Sequence, residues 1–208
     1  MKLALINLED DMEHPAMGLV FLATYLEKKG FDNTEIIDRC FEKNILLKLD
    51  DIRPTIIGIS AKTVHYALAI ELANQIRKKF KDIILILGGA HITTMPDSLD
   101  KVFDLGVVGE GEETILEIIN MLKKREKDYF KIKGIVYFDN QGIFKKTENR
   151  LPIIPLDTIP SPNLSHINPK FIKEMNSSFN VGNRGFVITS RGCPFKCIYC
   201  STTRVWNK

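Results

Sequence analysis

Three of the four cysteines in this 208-residue sequence lie close together near its end. They are Cys193, Cys197 and Cys200, separated by three and then two residues. Zinc sites built from tight cysteine pairs usually draw on a second pair, and the sequence offers only Cys40 besides. Three thiolates on one short loop instead suit an iron–sulfur cube in which one iron has no protein ligand. A structural zinc site that borrows Cys40 or a histidine is the alternative.

The cysteine motif, with Tyr199 directly before its last cysteine, resembles the cluster-binding loop of the radical S-adenosylmethionine superfamily. The resemblance implies that Cys193, Cys197 and Cys200 hold a 4Fe–4S cluster whose free iron chelates S-adenosylmethionine. It also implies that an electron, supplied by a donor such as a ferredoxin or flavodoxin, cleaves the sulfonium to a deoxyadenosyl radical. Tyr199 would then pack over the cluster near the bound nucleoside.

A second set of residues with chemical potential follows the apolar runs in the first half of the sequence. The candidate ligand-binding residues are Ser60, Lys62, Thr63, Gly88, Gly89, His91, Gly109, Glu110, Gly111 and Glu112. Glycines let a large flat ligand approach the backbone, and the helix N-termini that follow offer unpaired N–H groups. Each feature also has a simpler explanation. Glycines form tight turns, a lone histidine is often hydrogen-bonded or at the surface, and glutamates favour helix N-termini.

The elements that position these residues alternate regularly between apolar runs and amphipathic stretches. The runs 2–7, 34–38, 56–60, 83–87 and 105–108 predict buried strands, and helices are predicted from residue 18, at 41–49, 64–80 and 96–101, and around 115–122. This alternation predicts an α/β fold, a flavodoxin-like (Rossmann-like) doubly wound parallel sheet of five strands in the order 2-1-3-4-5. Ligands of such sheets bind outside the carboxyl ends of the strands, where the second set of residues lies.

Together these segments resemble the cobalamin-binding domain that precedes many radical S-adenosylmethionine barrels. The matching segments are 14–19, 53–60, 88–91 and 107–112, and 156–162 is similar to the linker that the family uses before its barrel. The resemblance runs from the first strand to the cysteine loop, and implies that cobalamin lies on the strand edge in contact with these loops. Other cobalamin modules place a histidine on cobalt from an Asp-x-His-x-x-Gly motif. The corresponding residues 10–18 do not fit it, so His14 is not assigned as the axial ligand.

The remaining segments divide the chain. Residues 134–144 predict a β-hairpin around an Asn/Gln/Gly turn, a small antiparallel appendage. Residues 147–185 are rich in Pro, Asn and Ser, with a short helix at 169–175, and predict a linker. Residues 186–189 are apolar and β-branched and predict a strand before the cysteine loop. We therefore predict a cobalamin-binding domain at 1–130, a hairpin and linker at 131–184, and the start of a radical S-adenosylmethionine domain at 185–208.

The third segment is too short for the domain that it resembles. A TIM-type barrel takes about 250 residues, whereas only residues 201–208 follow Cys200. We expect the beginning of a partial TIM-type barrel, either as a piece of a longer enzyme or as a free-standing module. The first is favoured, because a cluster loop with no barrel around it has little protection, and the chain alone is expected to be inactive.

Composition restricts the classes of partner. A hydrophobic content of 44% and a charged content of 26% are ordinary for a globular protein. The net charge of +3 is too balanced to argue for nucleic acid or an anionic membrane, and no apolar run approaches the roughly 20 residues of a membrane helix. The first residues turn acidic at Glu9, too early for a signal peptide. Clustered cysteines do not form a disulfide scaffold, which favours the reducing cytoplasm.

The functional prediction combines the two resemblances. The chain is expected to be the N-terminal part of a cobalamin-dependent radical S-adenosylmethionine enzyme in which cobalamin carries a methyl group for an unactivated carbon of an unknown substrate. The alternatives are a non-catalytic corrinoid carrier and a receiver-like regulator with a structural metal site. The acidic run from Glu9 to Asp11 mimics the acidic pair of a receiver, but Ser60 stands where the phosphorylated aspartate would be.

Overall fold

A seven-stranded sheet with helices on both faces is the centre of the computed structural model, which describes residues 1–126, 128–171, 173 and 188–206. The strands are β1 (Leu3–Asn7), β2 (Thr34–Asp38), β3 (Ile56–Ser60), β4 (Ile84–Gly88), β5 (Leu105–Val107), β6 (Ile135–Phe138) and β7 (Phe144–Lys146). Their order is β2-β1-β3-β4-β5-β6-β7, and β1 to β5 are parallel. The predicted fold class and the order 2-1-3-4-5 are therefore confirmed.

The predicted hairpin belongs to this sheet. β6 pairs antiparallel with β5 and with β7, so the hairpin covers the edge that β5 would otherwise expose. An uncovered strand edge is a template for unwanted pairing with another chain. The hairpin protects β5 from such pairing.

Six α-helices have all of their residues in the described part of the chain. They are α1 (Met17–Lys28), α2 (Ile45–Ile52), α3 (Tyr66–Lys79), α4 (Ala90–Thr94), α5 (Glu112–Lys123) and α6 (Thr202–Val205). α2 begins later than the predicted residue 41, because the Asn44 side chain caps it by accepting a hydrogen bond from the Leu47 N–H at 3.0 Å. α3 opens with a 3₁₀ turn, Thr63–His65, and a second 3₁₀ turn, Pro96–Ser98, occupies the start of the predicted helix 96–101.

The two faces of the sheet bury separate apolar clusters. On β1, Leu3 and Leu5 pack in the layer of α1 and α5, whereas Ala4 and Ile6 pack in the layer of α2 and α3. This alternation follows the two-residue period of a strand. Because both faces are covered, the central strands β1, β3 and β4 are apolar runs with no polar side, whereas the edge strand β2 carries Thr34 and Glu35. None of the described helices has the length and apolar character that a membrane span requires.

The segment after the hairpin docks on the α1 and α5 side of the domain. The Arg150 guanidinium bonds Glu113 at 2.9 Å and Glu117 at 2.5 Å, both on α5. The Asn163 N–H donates to Thr24 Oγ1 on α1 at 2.8 Å, and Phe171 is fully buried. The described residues of the predicted linker are thus fastened to the first domain. The predicted helix 169–175 and strand 186–189 fall partly outside the described residues.

Candidate functional site

A cavity of about 500 Å³ opens at the carboxyl edge of the sheet. Its walls come from the ends of β1, β3, β4 and β5, from the loop before α1, and from residues on both sides of the cysteine loop. This is the edge at which doubly wound sheets bind ligands.

The deep end of the cavity is apolar. It lies between the sheet and the helices α1 and α5, and is lined by Leu5, Gly58, Ile86, Val107, Leu22 and Ile115. Gly58 stands in the middle of β3 without a side chain, and a Cβ there would lie 3.0 Å from Leu5 Cδ2. The missing side chain therefore leaves the space that forms the deep end. A glycine inside an apolar strand often marks such a close approach of a ligand, and this signal identifies a residue absent from our candidate set.

The rim of the cavity carries most of the predicted ligand-binding residues. The ones that line it are Ser60, Lys62, Gly88, Gly89, Gly109, Glu110, Gly111 and Glu112. At Gly109 an added Cβ would have no atom within 4 Å, and at Gly88 it would meet only the Ile59 carbonyl oxygen at 4.0 Å. These positions face open space, so a ligand can reach the backbone there.

Glycine is required at position 89 for a different reason from that at Gly88. Its φ is +94°, and an added Cβ would lie 2.8 Å from the carbonyl oxygen of Ala61. The Ala61 N–H donates to the Gly88 carbonyl and the His91 N–H to the Ala61 carbonyl, each at 3.0 Å. Gly89 thus lets the turns after β3 and β4 pack backbone to backbone, which shapes the rim.

Thr63 and His91 are also predicted site residues, and they lie away from the cavity wall. The His91 Nδ1 lies 3.2 Å from Thr63 Oγ1, its Nε2 lies 2.9 Å from Ser98 Oγ, and its ring stacks on Tyr66 at 3.8 Å between centroids. Burial lowers the pKa of His91, so its ring is neutral at pH 7. The contacts tie α4 to the turn before α3. The sequence indicated that both residues follow strands of the sheet but did not show the direction of their side chains.

Polar groups at the ends of β1 and β3 complete one side of the rim. Lys62 Nζ lies 2.7 Å from Glu9 Oε2, and both residues line the cavity. Asn7 Nδ2 donates to Asp38 Oδ1 at 3.0 Å. Burial raises the pKa of Asp38, and this hydrogen bond opposes the effect only in part. Asn7 and Glu9 were not predicted, although a polar residue at the end of a buried strand is a usable signal.

His14 lies on the loop before α1 and also lines the cavity. Its Nδ1 is 3.0 Å from Asp11 Oδ2, and its side chain is two-thirds exposed. Although partial burial acts in the opposite direction, hydrogen bonds from the backbone N–H groups of Glu13 and His14 lower the pKa of Asp11. The pair is an exposed loop contact at the cavity entrance.

Two glutamates of the rim bind an arginine from the far end of the chain. Arg191 Nη1 lies 3.1 Å from Glu110 Oε1, and Nη2 lies 2.5 Å from Glu112 Oε1. All three side chains are at most 10% exposed. Burial acts against the arginine charge, but the hydrogen bonds and charges of Glu112 and Glu110 prevail and raise the pKa of Arg191. The second oxygen of Glu110 accepts the Ile153 N–H at 2.6 Å.

Trp206 closes the same side of the cavity. It lines the wall together with Val205 and Arg191. The guanidinium carbon of Arg191 lies 5.8 Å from the centroid of the Trp206 ring and 5.5 Å from that of Phe21 on α1. Arg191 and Trp206 were not predicted as site residues, because nothing in their local sequence indicates that the chain returns to this edge.

The cysteine loop itself lies outside the cavity wall. Cys197 is exposed, Cys193 and Cys200 are half-buried, and Tyr199 is 89% exposed. The Cys200 Sγ lies 3.2 Å from Thr202 Oγ1, and hydrogen bonds from the hydroxyl and the backbone N–H of Thr202 to the thiolate lower the pKa of Cys200. Among the described residues, no three His, Cys, Asp or Glu side chains gather closely enough to hold a metal ion. The three thiols suit an iron–sulfur cluster by their chemistry, but they do not converge on one point.

Comparison with known proteins gives a family match over the sheet domain. The model of the B12 binding domain family matches residues 3–119. This range contains all five parallel strands and the rim glutamates, and it ends within α5.

Curated relatives match more of the chain. An uncharacterized methyltransferase, PH0819, from Pyrococcus horikoshii is 30% identical over 93% of this chain and 42% of its own length. The anaerobic magnesium-protoporphyrin IX monomethyl ester cyclase of Rubrivivax gelatinosus is 30% identical over 93% of this chain and 36% of its own length. The chain therefore spans less than half the length of these relatives.

A solved structure shares the fold. It is the cobalamin-dependent S-adenosylmethionine radical enzyme OxsB with aqua-cobalamin and S-adenosylmethionine bound. The two chains are 26% identical with a TM-score of 0.71, and the match covers 86% of this chain and 25% of that one.

Proposed function

Because this chain belongs to the B12 binding domain family, we propose that the cavity at the carboxyl edge of its sheet binds cobalamin, as part of a cobalamin-dependent radical S-adenosylmethionine enzyme. The observation that carries the proposal is the shape of that cavity. It combines an apolar deep end, left open by Gly58, with a rim on which Gly88 and Gly109 face open space. Apolar cavities with a few polar groups at their mouth are typical cofactor sites.

The residues present fit a ligand of this kind. Cobalamin is much larger than the drug-sized ligands that fill cavities of this volume, so only part of it would enter the deep end. The rest would lie over the rim glycines. Ser60 and Lys62, which also line the rim, would donate hydrogen bonds to the amide groups at the corrin periphery. When bound, cobalamin would supply a methyl group carried on cobalt.

The cysteine loop extends the proposal to a second cofactor. Cys193, Cys197 and Cys200 would hold a 4Fe–4S cluster with one open iron for S-adenosylmethionine, and Tyr199 would pack beside the nucleoside. When bound, this cluster supplies one-electron reduction, for which the protein needs a donor such as a ferredoxin or flavodoxin. The support is the cysteine spacing and the similarity to a solved enzyme with S-adenosylmethionine bound. Free thiols are kept in a reducing compartment, so we place the protein in the cytoplasm.

The reaction that we propose for the whole enzyme is methyl transfer to an unactivated carbon. The support is that PH0819 is named as a methyltransferase and that a further relative, from Streptomyces wedmorensis, is cytidylyl-2-hydroxyethylphosphonate methyltransferase. The second candidate function is a corrinoid-binding module without a cluster. It is favoured by one observation, that the three thiols do not converge within the described residues.

Anaerobic reconstitution separates the two candidates. The chain is incubated with iron, sulfide and hydroxocobalamin, desalted, and measured by absorption spectroscopy and metal analysis. Retained corrinoid bands with about four irons per chain, the iron being lost in Cys197→Ala, support the two-cofactor enzyme. Corrinoid without iron supports the module, and retention of neither cofactor refutes both.

Cys40 provides the matched control for this experiment. It is a buried thiol in the layer of Val20 and Phe171, and burial raises its pKa to about 11. It is therefore a poor metal ligand at neutral pH. Cys40→Ala is expected to keep its iron. Loss of iron in this variant would indicate instead that Cys40 is a fourth ligand, as in a zinc site with four protein ligands.

A further inference from the structure

We propose that Arg191 is a positioning residue, and that its ion pairs with Glu110 and Glu112 fix the cysteine loop beside the cavity. We call these three side chains the Glu110–Arg191–Glu112 bridge. The inference rests on the proposed function, because a fixed loop matters only if cavity and loop act together. It assigns the two glutamates to the arginine, whereas the sequence alone suggested contacts with the ligand.

The two carboxylates of the bridge lie in a buried corner of the domain. Glu110 lies in the turn after β5, and its Oε2 is occupied by the Ile153 N–H at 2.6 Å. Glu112 is the first residue of α5, where the helix dipole favours its negative charge. Both side chains are less than 10% exposed. With Arg191 in place, the corner between β5 and α5 therefore holds two nearly dry carboxylates, and the Ile153 N–H orients that of Glu110.

The guanidinium matches this corner in geometry as well as charge. Its two terminal nitrogens each bind a different carboxylate, at 3.1 Å and 2.5 Å, and the rigid planar fork of arginine suits this arrangement better than the flexible, compact ammonium of lysine. Its carbon lies 5.5 Å from the Phe21 ring and 5.8 Å from the Trp206 ring. Arg191 thus joins α5, α1 and the residue after α6 at one buried point, with cation–π contacts on both rings.

The bridge fastens the cysteine loop at both ends. Arg191 lies two residues before Cys193, and Trp206 follows Cys200 after the short helix α6. Between these anchors the loop is open to solvent, and its apolar side chains Phe195 and Ile198 are exposed. The position of the thiols relative to the cavity is therefore set mainly by the two ends, and the bridge holds both of them against the cavity wall.

Trp206 reports directly on this arrangement, since it is the only tryptophan of the chain. The measurement uses the 208-residue chain without cofactor, and compares Trp206 emission and its quenching by acrylamide between variants. Glu110→Gln with Glu112→Gln removes both negative charges. Because breaking buried hydrogen-bonded charge pairs shifts an association equilibrium by about tenfold or more, we expect emission at longer wavelength and a larger quenching constant.

Arg191→Gln and Arg191→Lys test the other side of the bridge. Arg191 lies outside the strands and helices of the sheet, and far-UV circular dichroism checks that each variant keeps the fold. Arg191→Gln is expected to expose Trp206 as the double glutamine variant does, and Arg191→Lys to give an intermediate value. The matched control is Glu113→Gln, which removes a neighbouring charge that pairs with Arg150 instead and should leave Trp206 unchanged.

The outcomes separate this inference from the proposed function. In the cobalamin-loaded chain, Arg191→Lys should reduce the quenching of Trp206 per bound corrinoid, because the tryptophan no longer has a fixed position. Native Trp206 emission and quenching in both Arg191→Gln and the double glutamine variant would overturn the inference, even if the unaltered chain binds cobalamin. If the unaltered chain binds no cobalamin but these variants expose Trp206, the proposed function fails and the bridge stands.

Discussion

Replacing Gly58 by valine is expected to close the deep end of the cavity. The new Cβ would lie 3.0 Å from Leu5 Cδ2, which is the end of a flexible side chain, and the two methyl groups would extend among the apolar lining residues. Overpacking of this kind costs about 1–3 kcal/mol. Removal of a glycine from a strand recovers about 0.5–1 kcal/mol. The free energy of unfolding should therefore fall by no more than about 2.5 kcal/mol, and the variant should remain folded.

The effect on cobalamin binding should be larger. A valine side chain in the deep end would keep about 100 Å² of apolar cofactor surface from being buried, which at about 25 cal/mol per Å² is worth about 2.5 kcal/mol. This corresponds to a roughly 60-fold higher Kd for hydroxocobalamin. The Kd is measured by equilibrium dialysis, and independently by the quenching of Trp206 emission as cobalamin is added.

Ile57→Val is the matched control on the same strand. Ile57 is buried in the layer of α2 and α3, on the face opposite the deep end. The change removes one methylene and lowers the free energy of unfolding by about 0.5–1.5 kcal/mol, similar to the valine at position 58, but it should not change the Kd. If the Gly58 variant shows native circular dichroism and binds hydroxocobalamin as tightly as the unaltered chain, the deep end is not part of the binding site.

Three further predictions concern stability. Burial raises the pKa of Asp38 above its ordinary 3.8, so the folded state binds this proton more tightly than the unfolded state. The resulting stabilisation is present below pH 3.8 and is lost as the pH rises through the pKa of the folded state. Asp38→Asn should remove this loss and raise the urea midpoint at pH 7. Burial lowers the pKa of His91 below 6.5, so as the pH falls the unfolded state takes up a proton at a higher pH than the folded state. The urea midpoint should therefore drop between pH 7.5 and 5.5, and this drop should be smaller in His91→Gln. Gly89→Ala should lower the free energy of unfolding by more than the about 1–3 kcal/mol of backbone strain, because its Cβ also meets Ala61. Gly109→Ala, with φ of +85° and open space, should show the strain alone.

Each of these predictions has a clear negative result. An unchanged urea midpoint in Asp38→Asn at pH 7 would mean that the carboxylate is not penalised by its burial. An equal drop between pH 7.5 and 5.5 with and without His91 would assign the pH dependence to another group. Equal losses in the two alanine variants would show that the backbone approach at Ala61 relaxes without cost.

Much of the fold follows from local pattern. The apolar runs are long enough only for strands, and their alternation with amphipathic stretches requires crossover helices on both faces. The sheet order of the first five strands was therefore predicted and is confirmed. That β6 would pair with β5 was not evident, because strand pairing depends on which edge remains open after the other strands have assembled. The start of α2 was misplaced, because the single cap at Asn44 outweighs the apolar residues before it.

The amino-acid sequence by itself determined the chemistry that this protein can offer: glycines and polar residues after parallel strands, and three cysteines on one loop. Those properties reside in residue type and spacing, which no packing alters. The tertiary structure decided which of these groups meet. His91 turned from the rim into a buried contact with Thr63, and Gly58 opened a cavity from within a strand. Arg191 reached Glu110 across 81 positions of sequence, because a buried guanidinium requires carboxylate partners and only the folded chain brings them together.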